Sequence, residues 1–189
     1  AATVLAGKGH SVTVYEAMPE LGGMLRYGIP EYRLPKAVLA REIEILKKLG
    51  VEARTGVRVG KDISFDALRA ENDAVIVAIG AWTSSKMRVP GEDLKGVLGG
   101  IDFLREVALG HAPDIGTRVA ICGGGNTAMD ACRTAVRLGA KEVYTLYRRT
   151  RAEMPAEDVE ICEAEEEGVV FKFLCNPAEI VGDADGRVT

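Results

Sequence analysis

The segment Arg118-Val119-Ala120-Ile121-Cys122-Gly123-Gly124-Gly125-Asn126-Thr127-Ala128 decides the fold. Residues 118–122 read as a strand, the glycines interrupt it, and residues 127–138 read as a helix. Ala128, Ala131, Ala135 and Leu138 lie on one mostly small-residue face of that helix. The motif is G-x-G-x-x-A between a strand and a helix, and this context makes an otherwise weak glycine pattern specific. Each residue type has a physical task. Gly123 permits the tight turn, Gly125 lets the backbone come close to a pyrophosphate, and Ala128 lets the helix pack closely on the strand. The helix start then offers free N–H groups and the positive end of its dipole to the phosphates. The reading is a Rossmann-like dinucleotide unit.

The next strand, residues 142–147, indicates which nucleotide. A unit that prefers NAD carries an acid about twenty residues past the glycines, where it holds the ribose 2′-hydroxyl. Here Tyr147 is followed by Arg148-Arg149, with no carboxylate at the tip. Two guanidinium groups suit the 2′-phosphate of NADP(H) and offer it bidentate hydrogen bonds. A solvated basic tip, pairing with Glu153 or Glu157, is the competing reading.

Outward from this core, strand-like runs stand at 11–16, 51–54, 57–59, 74–79 and 169–174. Helix-like runs stand at 36–49, 65–70, 101–108 and 156–167. Ser64 is placed to cap a helix, and Gly50 and Gly139 to stop two others. The alternation is that of an α/β protein with parallel strands. Residues 21–34 show no clear period, and residues 81–100, with Pro90-Gly91, Gly96 and Gly99-Gly100, read as an interdomain crossing. Residues 182–186 read as a turn between two strands, the second cut short, which suggests a truncated chain. Residues 1–16 also resemble residues 133–148 at an offset of 132: Val4 falls on Val136, Gly7 on Gly139, Tyr15 on Tyr147 and Glu16 on Arg148. The expectation is a second nucleotide-binding unit entered inside its first helix, without its glycine turn. Its acid, Glu16, favours the free ribose of FAD or NAD. A protein with one unit of each kind is suited to pass electrons between two cofactors.

Composition narrows the classes. Hydrophobic residues make up 47% and aromatics 5% of 189 residues, so the core is built of Ala, Val, Ile and Leu, as in helix-covered parallel sheets. A net charge of −4 predicts no nucleic-acid partner. No apolar run spans a membrane, and no signal peptide opens the chain; a cytoplasmic location is expected. Four cysteines without a C-x-x-C pair predict no metal or iron–sulfur site in this chain, only reduced, largely buried thiols.

Beyond these readings, residues 22–35, Gly-Gly-Met-Leu-Arg-Tyr-Gly-Ile-Pro-Glu-Tyr-Arg-Leu-Pro, resemble the signature of the glutamate synthase small (beta) subunit. Related flavoproteins share it: NADPH-linked ferredoxin oxidoreductases and the flavin module of dihydropyrimidine dehydrogenase, within the pyridine nucleotide-disulfide oxidoreductase superfamily. Residues 89–94 (Val-Pro-Gly-Glu-Asp-Leu), 102–104 (Asp-Phe-Leu), 123–130 (Gly-Gly-Gly-Asn-Thr-Ala-Met-Asp) and 147–155 (Tyr-Arg-Arg-Thr-Arg-Ala-Glu-Met-Pro) follow in the family's order.

The resemblance implies a split FAD-binding domain with an NADP-binding domain inserted into it. The expected layout is a partial FAD domain over 1–85, a linker over 86–100 and the NADP(H) domain over 101–189. It implies that Glu16 holds the FAD ribose, that Gly22, Gly23 and Leu25 lie along the FAD, and that Val59 lies by its adenine. It further implies that Gly123, Gly125, Asn126 and Thr127 cradle the NADP pyrophosphate while Arg148 and Arg149 hold the 2′-phosphate. Asp130 reads as a first-turn acid favouring the helix dipole. The chain departs from the family in lacking the first FAD glycine loop and the returning C-terminal FAD segment, and it carries Ile79 and Lys95 where threonine and proline are usual.

The implied function is electron transfer between NADPH and FAD, with electrons passing to an iron–sulfur chain or partner subunit, such as the glutamate synthase large subunit. A flavin subunit of an NADPH–ferredoxin oxidoreductase or of a dihydropyrimidine dehydrogenase-like protein is the alternative. From another class, a non-catalytic NADP-binding or docking module remains open. No side chain is expected to act as a catalyst, because the cofactors carry hydride chemistry. A homo-oligomer is expected if a flavin half leaves apolar sheet surface uncovered.

Overall fold

Every strand ladder in the molecule is parallel, and a helix connects each paired strand to the next. The computed structural model describes all 189 residues, Ala1–Thr189. The chain falls into two compact units, one formed by Ala1–Arg26 with Glu31–Ala81 and the other by Tyr27–Pro30 with Trp82–Thr189.

In the first unit, α1 (Ala2–Gly7) leads into β1 (Thr13–Glu16), and α2 (Gly23–Tyr27) opens a stretch in which the sequence shows no period. The crossover helix α3 (Lys36–Lys48) returns the chain to β2 (Glu52–Thr55), which pairs with β1 from Thr13↔Glu52 to Glu16↔Thr55. Helix α4 (Phe65–Glu71) starts as its sequence predicts: the Ser64 hydroxyl accepts the Ala67 N–H at 3.1 Å.

Two predicted strands are absent. Residues 57–59 form only an isolated bridge from Val59 to Ile63, and residues 74–79 join no ladder. Their apolar run suits a strand covered on both faces, but a strand exists only where a neighbour supplies its hydrogen bonds. β1 and β2 pair only with each other, so Ile76, Val77 and Ile79 stand 60%, 63% and 78% exposed.

The second unit holds α5 (Gly100–Ala108), β3 (Arg118–Cys122), α6 (Asn126–Arg137), β4 (Glu142–Tyr147), a 3₁₀ turn (Arg151–Glu153), α7 (Asp158–Glu166) and β5 (Val170–Phe173). The sheet order is β3-β4-β5. Residues read as a linker belong here: Lys95 bridges to Arg187, and the Ile180 N–H donates to the Pro90 carbonyl. Met129, Cys132, Ala135, Val143, Ile161 and Ala164 fill the core beneath α6 and α7, and Phe103 and Leu104 of α5 pack against Ala131. Ala128, Ala131 and Ala135 face inward as their spacing predicts, but Leu138, at the helix end, is 40% exposed. Asp130 is buried and lies beyond the first turn of α6, so a first-turn dipole role does not describe it. Of the four cysteines only Cys132 is buried, where desolvation pushes its thiol up to about 11. The expectation of largely buried thiols fails because Cys122 and Cys175 sit at the carboxyl ends of strands and Cys162 lies beside Arg151 on α7.

An ion-pair ladder joins the two crossover helices of this unit. The Arg133 side chain, 6% exposed, meets Glu160 at 2.9 Å, Glu163 at 2.5 Å and Glu167 at 2.8 Å, and Arg137 reaches Glu167 at 2.7 Å. The successive contacts run along both helices in the same sense, as parallel crossovers require. Removing a buried partner strands its opposite charges, whereas an exposed pair contributes little. Arg133→Leu is therefore expected to destabilise the protein by about 3–5 kcal/mol. Arg137→Ala should cost less than about 1 kcal/mol; equal losses in urea unfolding would show that burial does not set the difference.

Candidate functional site

The turn after β3 has the geometry its motif predicts. The Gly123 N–H donates to the Leu146 carbonyl at 3.0 Å, which carries the end of β3 along β4 and into the turn. Gly123 has φ +149, a conformation that side chains disfavour, and a Cβ there would lie 3.4 Å from that of Ala128. Ala128 is accordingly a packing residue, 9% exposed beneath the turn.

Gly124 is glycine for a different reason. Its backbone lies against the Tyr147 ring, and a Cβ at this position would fall 2.7 Å from ring carbons. At Gly125 no such demand exists: the nearest atom to a Cβ placed there would be Pro155 Cγ at 3.8 Å. Gly125 is the N-cap of α6, and no side chain of the chain caps that helix.

The loop that carries the arginines is tied to this turn at several points. The Tyr147 hydroxyl donates to the Glu153 carbonyl at 2.8 Å, and the Ala156 N–H to the Gly124 carbonyl at 3.1 Å. Asn126 Oδ1 accepts the Glu157 N–H at 3.1 Å. Thr150 and Glu153 close a capping box over the 3₁₀ turn. The Asn126 side chain thus holds the start of α7, while Thr127 stands exposed beside it.

Arg148 and Arg149 are both exposed, and no ion pair of the structure engages either. The competing sequence reading paired them with Glu153 or Glu157. Glu153 instead accepts the Thr150 N–H, and the neighbouring Arg151 bonds Glu165.

In the first unit, Glu16 ends β1 with Oε1 accepting the Met18 N–H at 2.8 Å, which fixes the carboxylate at the strand tip. The Glu16 carbonyl accepts the Val57 N–H at 3.0 Å, so the segment toward Val59 passes beside it. Val59 is 41% exposed and so is not ordinary core. Gly22 packs against Arg26 and Leu39, Gly23 begins α2, and Leu25 is 49% exposed on that helix.

Hydrogen bonding corrects the correspondence between the units by one residue. The Val57 N–H meets the carbonyl of Glu16, and the Cys175 N–H meets that of Tyr147, at 3.1 Å. Glu16 therefore corresponds to Tyr147, with Arg148 one step further out. Sequence reasoning missed Tyr147 as the residue on which the turn rests, although its aromatic side chain directly before the arginines was a visible signal.

The pattern of the pyridine nucleotide-disulphide oxidoreductase family matches residues 1–189. The chain is 50% identical, over 97% of its length, to the NADP(+)-dependent formate dehydrogenase subunit beta of Moorella thermoacetica, of which it covers 26%. It is 38% identical, over its whole length, to the glutamate synthase [NADPH] small chain of Escherichia coli K12, of which it covers 42%. The chain thus spans less than half the length of these relatives. Among solved structures, FprA of Mycobacterium tuberculosis in complex with NADPH superposes with a TM-score of 0.81 at 20% identity, over 100% of this chain and 63% of that one. The fold is shared. The chain belongs to the pyridine nucleotide-disulphide oxidoreductase family.

Proposed function

We propose that the second unit binds NADPH, with its pyrophosphate on the Gly123–Gly125 turn and its 2′-phosphate on Arg148 and Arg149, and that the chain serves a flavin-dependent oxidoreductase. The observation that carries the reading is the exposed arginine pair, without ionic partners, in a loop bonded to a glycine turn that opens an uncapped helix. Two unneutralised cations beside free helix N–H groups suit a ligand that bears a diphosphate and a further phosphate monoester. The room at Gly125 supports backbone approach of the ligand, since packing within the chain does not demand glycine there.

FAD, when bound, supplies the acceptor that takes a hydride, two electrons and one proton, from the nicotinamide. Glu16, with its carboxylate fixed at the end of β1, is suited to accept hydrogen bonds from a ribose diol, and Gly22, Gly23, Leu25 and Val59 are the companion positions in the first unit. The task of this chain's side chains is binding and orientation, and no general acid or base is assigned. Relatives that carry the names of formate dehydrogenase and glutamate synthase subunits support a role inside an assembly. The proposed electron partner is an iron–sulfur protein or a larger subunit of the glutamate synthase kind. The apolar run at Ile76, Val77 and Ile79 supports association with further protein surface. No helix is long and apolar enough to cross a membrane.

Calorimetric titration of the purified protein tests the nucleotide assignment. NADPH is expected to bind more tightly than NADH, and Arg148→Ala with Arg149→Ala to weaken NADPH by about 10- to 100-fold while sparing NADH. Equal binding of both nucleotides by the unaltered protein would sink the phosphate reading. A separate variant addresses the loop: Tyr147→Phe keeps the ring on Gly124 but removes the hydroxyl held by Glu153. It is expected to lower NADPH affinity by about 3- to 10-fold with little change for NADH, since one neutral hydrogen bond positions the arginine loop. A matching loss for both nucleotides would mean that the hydroxyl supports the fold rather than phosphate recognition.

A further inference from the structure

Leu174, the residue after β5, combines features that packing within the chain does not explain. Its φ is +56, in the left-handed region that disfavours a leucine. Its side chain is 74% exposed, so burial does not offset that conformation. Its backbone N–H donates to the Arg149 carbonyl at 3.2 Å, and the following Cys175 N–H to the Tyr147 carbonyl.

The first unit makes the same bend. There the Gly56 N–H donates to the Met18 carbonyl, the Val57 N–H to the Glu16 carbonyl, and Gly56 has φ +71. The bend after the outer strand is therefore a repeated backbone device. One unit fills it with glycine, the residue that suits it. The other fills it with an exposed leucine beside the arginine pair.

We propose that Leu174 is the apolar platform for the adenine ring of NADPH. The inference rests on the reading of Arg148 and Arg149 as the 2′-phosphate site. The ribose that carries the 2′-phosphate carries adenine on the adjacent carbon. A surface that grips the phosphate must therefore be flanked, within a few ångströms, by whatever meets the base. Leu174 is anchored by one backbone hydrogen bond to Arg149, at the carboxyl ends of β4 and β5, where open α/β sheets take their ligands. The exposed aliphatic side chain at this bend supplies apolar surface one backbone hydrogen bond away from Arg149. Strained residues of this kind concentrate at ligand-binding sites.

The test pairs stability with binding in the purified protein. Leu174→Gly relieves the backbone, and the melting temperature without nucleotide is expected to rise by about 1–4 °C. The same variant is expected to weaken NADPH, NADH and 2′,5′-ADP by a common factor of about ten, from the loss of one aliphatic contact with the base. Leu174→Met, which keeps an apolar surface, should retain affinity within about threefold. Unchanged NADPH affinity in Leu174→Gly overturns the proposal, and so does a lower melting temperature accompanying the loss, because the leucine would then be holding the fold. The arginine double variant separates this from the underlying reading. If it loses NADPH preference while Leu174→Gly binds normally, only the adenine platform fails. If it keeps that preference, the phosphate assignment is what fails.

Discussion

The close approach of the Tyr147 ring to the Gly124 backbone is the constraint on which the second unit's site depends. It joins two parts of the sequence that must act together, the glycine turn after β3 and the arginine loop after β4. Because the ring occupies the space a Cβ would need, position 124 cannot carry a side chain without moving the turn, the loop or both. The hydrogen bonds from Tyr147 to Glu153, from Ala156 to Gly124 and from Glu157 to Asn126 then fix the loop's path. Arg148 and Arg149 leave this braced segment pointing at solvent. Their pre-organisation comes from backbone bonds rather than from ionic partners, which would compete with a phosphate for the same guanidinium groups.

The two units put residues of opposite charge on one repeated strand–turn device. At the end of β1 the chain places an acid, Glu16, and holds its carboxylate with the Met18 N–H. At the corresponding position of β4 it places Tyr147, which is turned into the packing beneath Gly124. The place of a ribose-binding acid is thus filled by a ring, and the cationic residues follow one step out. A free ribose diol is a hydrogen-bond donor and suits a carboxylate. A ribose phosphate is an anion and is repelled by one. For the proposed NADPH site, the absence of a carboxylate here therefore matters as much as the presence of arginine.

Much of this was legible in the sequence, for reasons that differ by element. β3 and β4, the end of α3, the start of α4 and both ends of α6 were readable because local signals fix them: a glycine break, the Ser64 cap, and glycines beyond the helix ends. The missing ladder at residues 74–79 was not, since an apolar run states only that both faces want cover and a strand needs a neighbour. Helix α2 and the 3₁₀ turn were missed because each is shorter than the window in which periodicity appears. The separate roles of Gly124 and Gly125 could not be read from three identical residues: one answers to a ring brought in from β4, the other to nothing within the chain. Likewise the sequence offset was wrong by one residue at Glu16, because matching letters report ancestry or chance, whereas backbone hydrogen bonds report position.

The buried ladder from Arg133 to Glu160, Glu163 and Glu167 gives the site its remaining rigidity. Helix α6 begins at the glycine turn and α7 begins where the arginine loop ends, so any sliding between the two helices would shift Arg148 and Arg149 against the turn. Apolar contacts such as Met129 with Ile161 resist separation but only weakly resist sliding, because dispersion varies gently along a greasy face. A guanidinium with carboxylates at successive turns of the facing helix has one register in which its hydrogen bonds are met, and displacement by a single turn leaves charges buried without partners. At the start of the same pair of helices, Asn126 and Glu157 fix the register again. Held at both points, the helices carry the turn and the loop as one rigid surface, the condition that the proposed discrimination between nucleotides differing by a single phosphate would need.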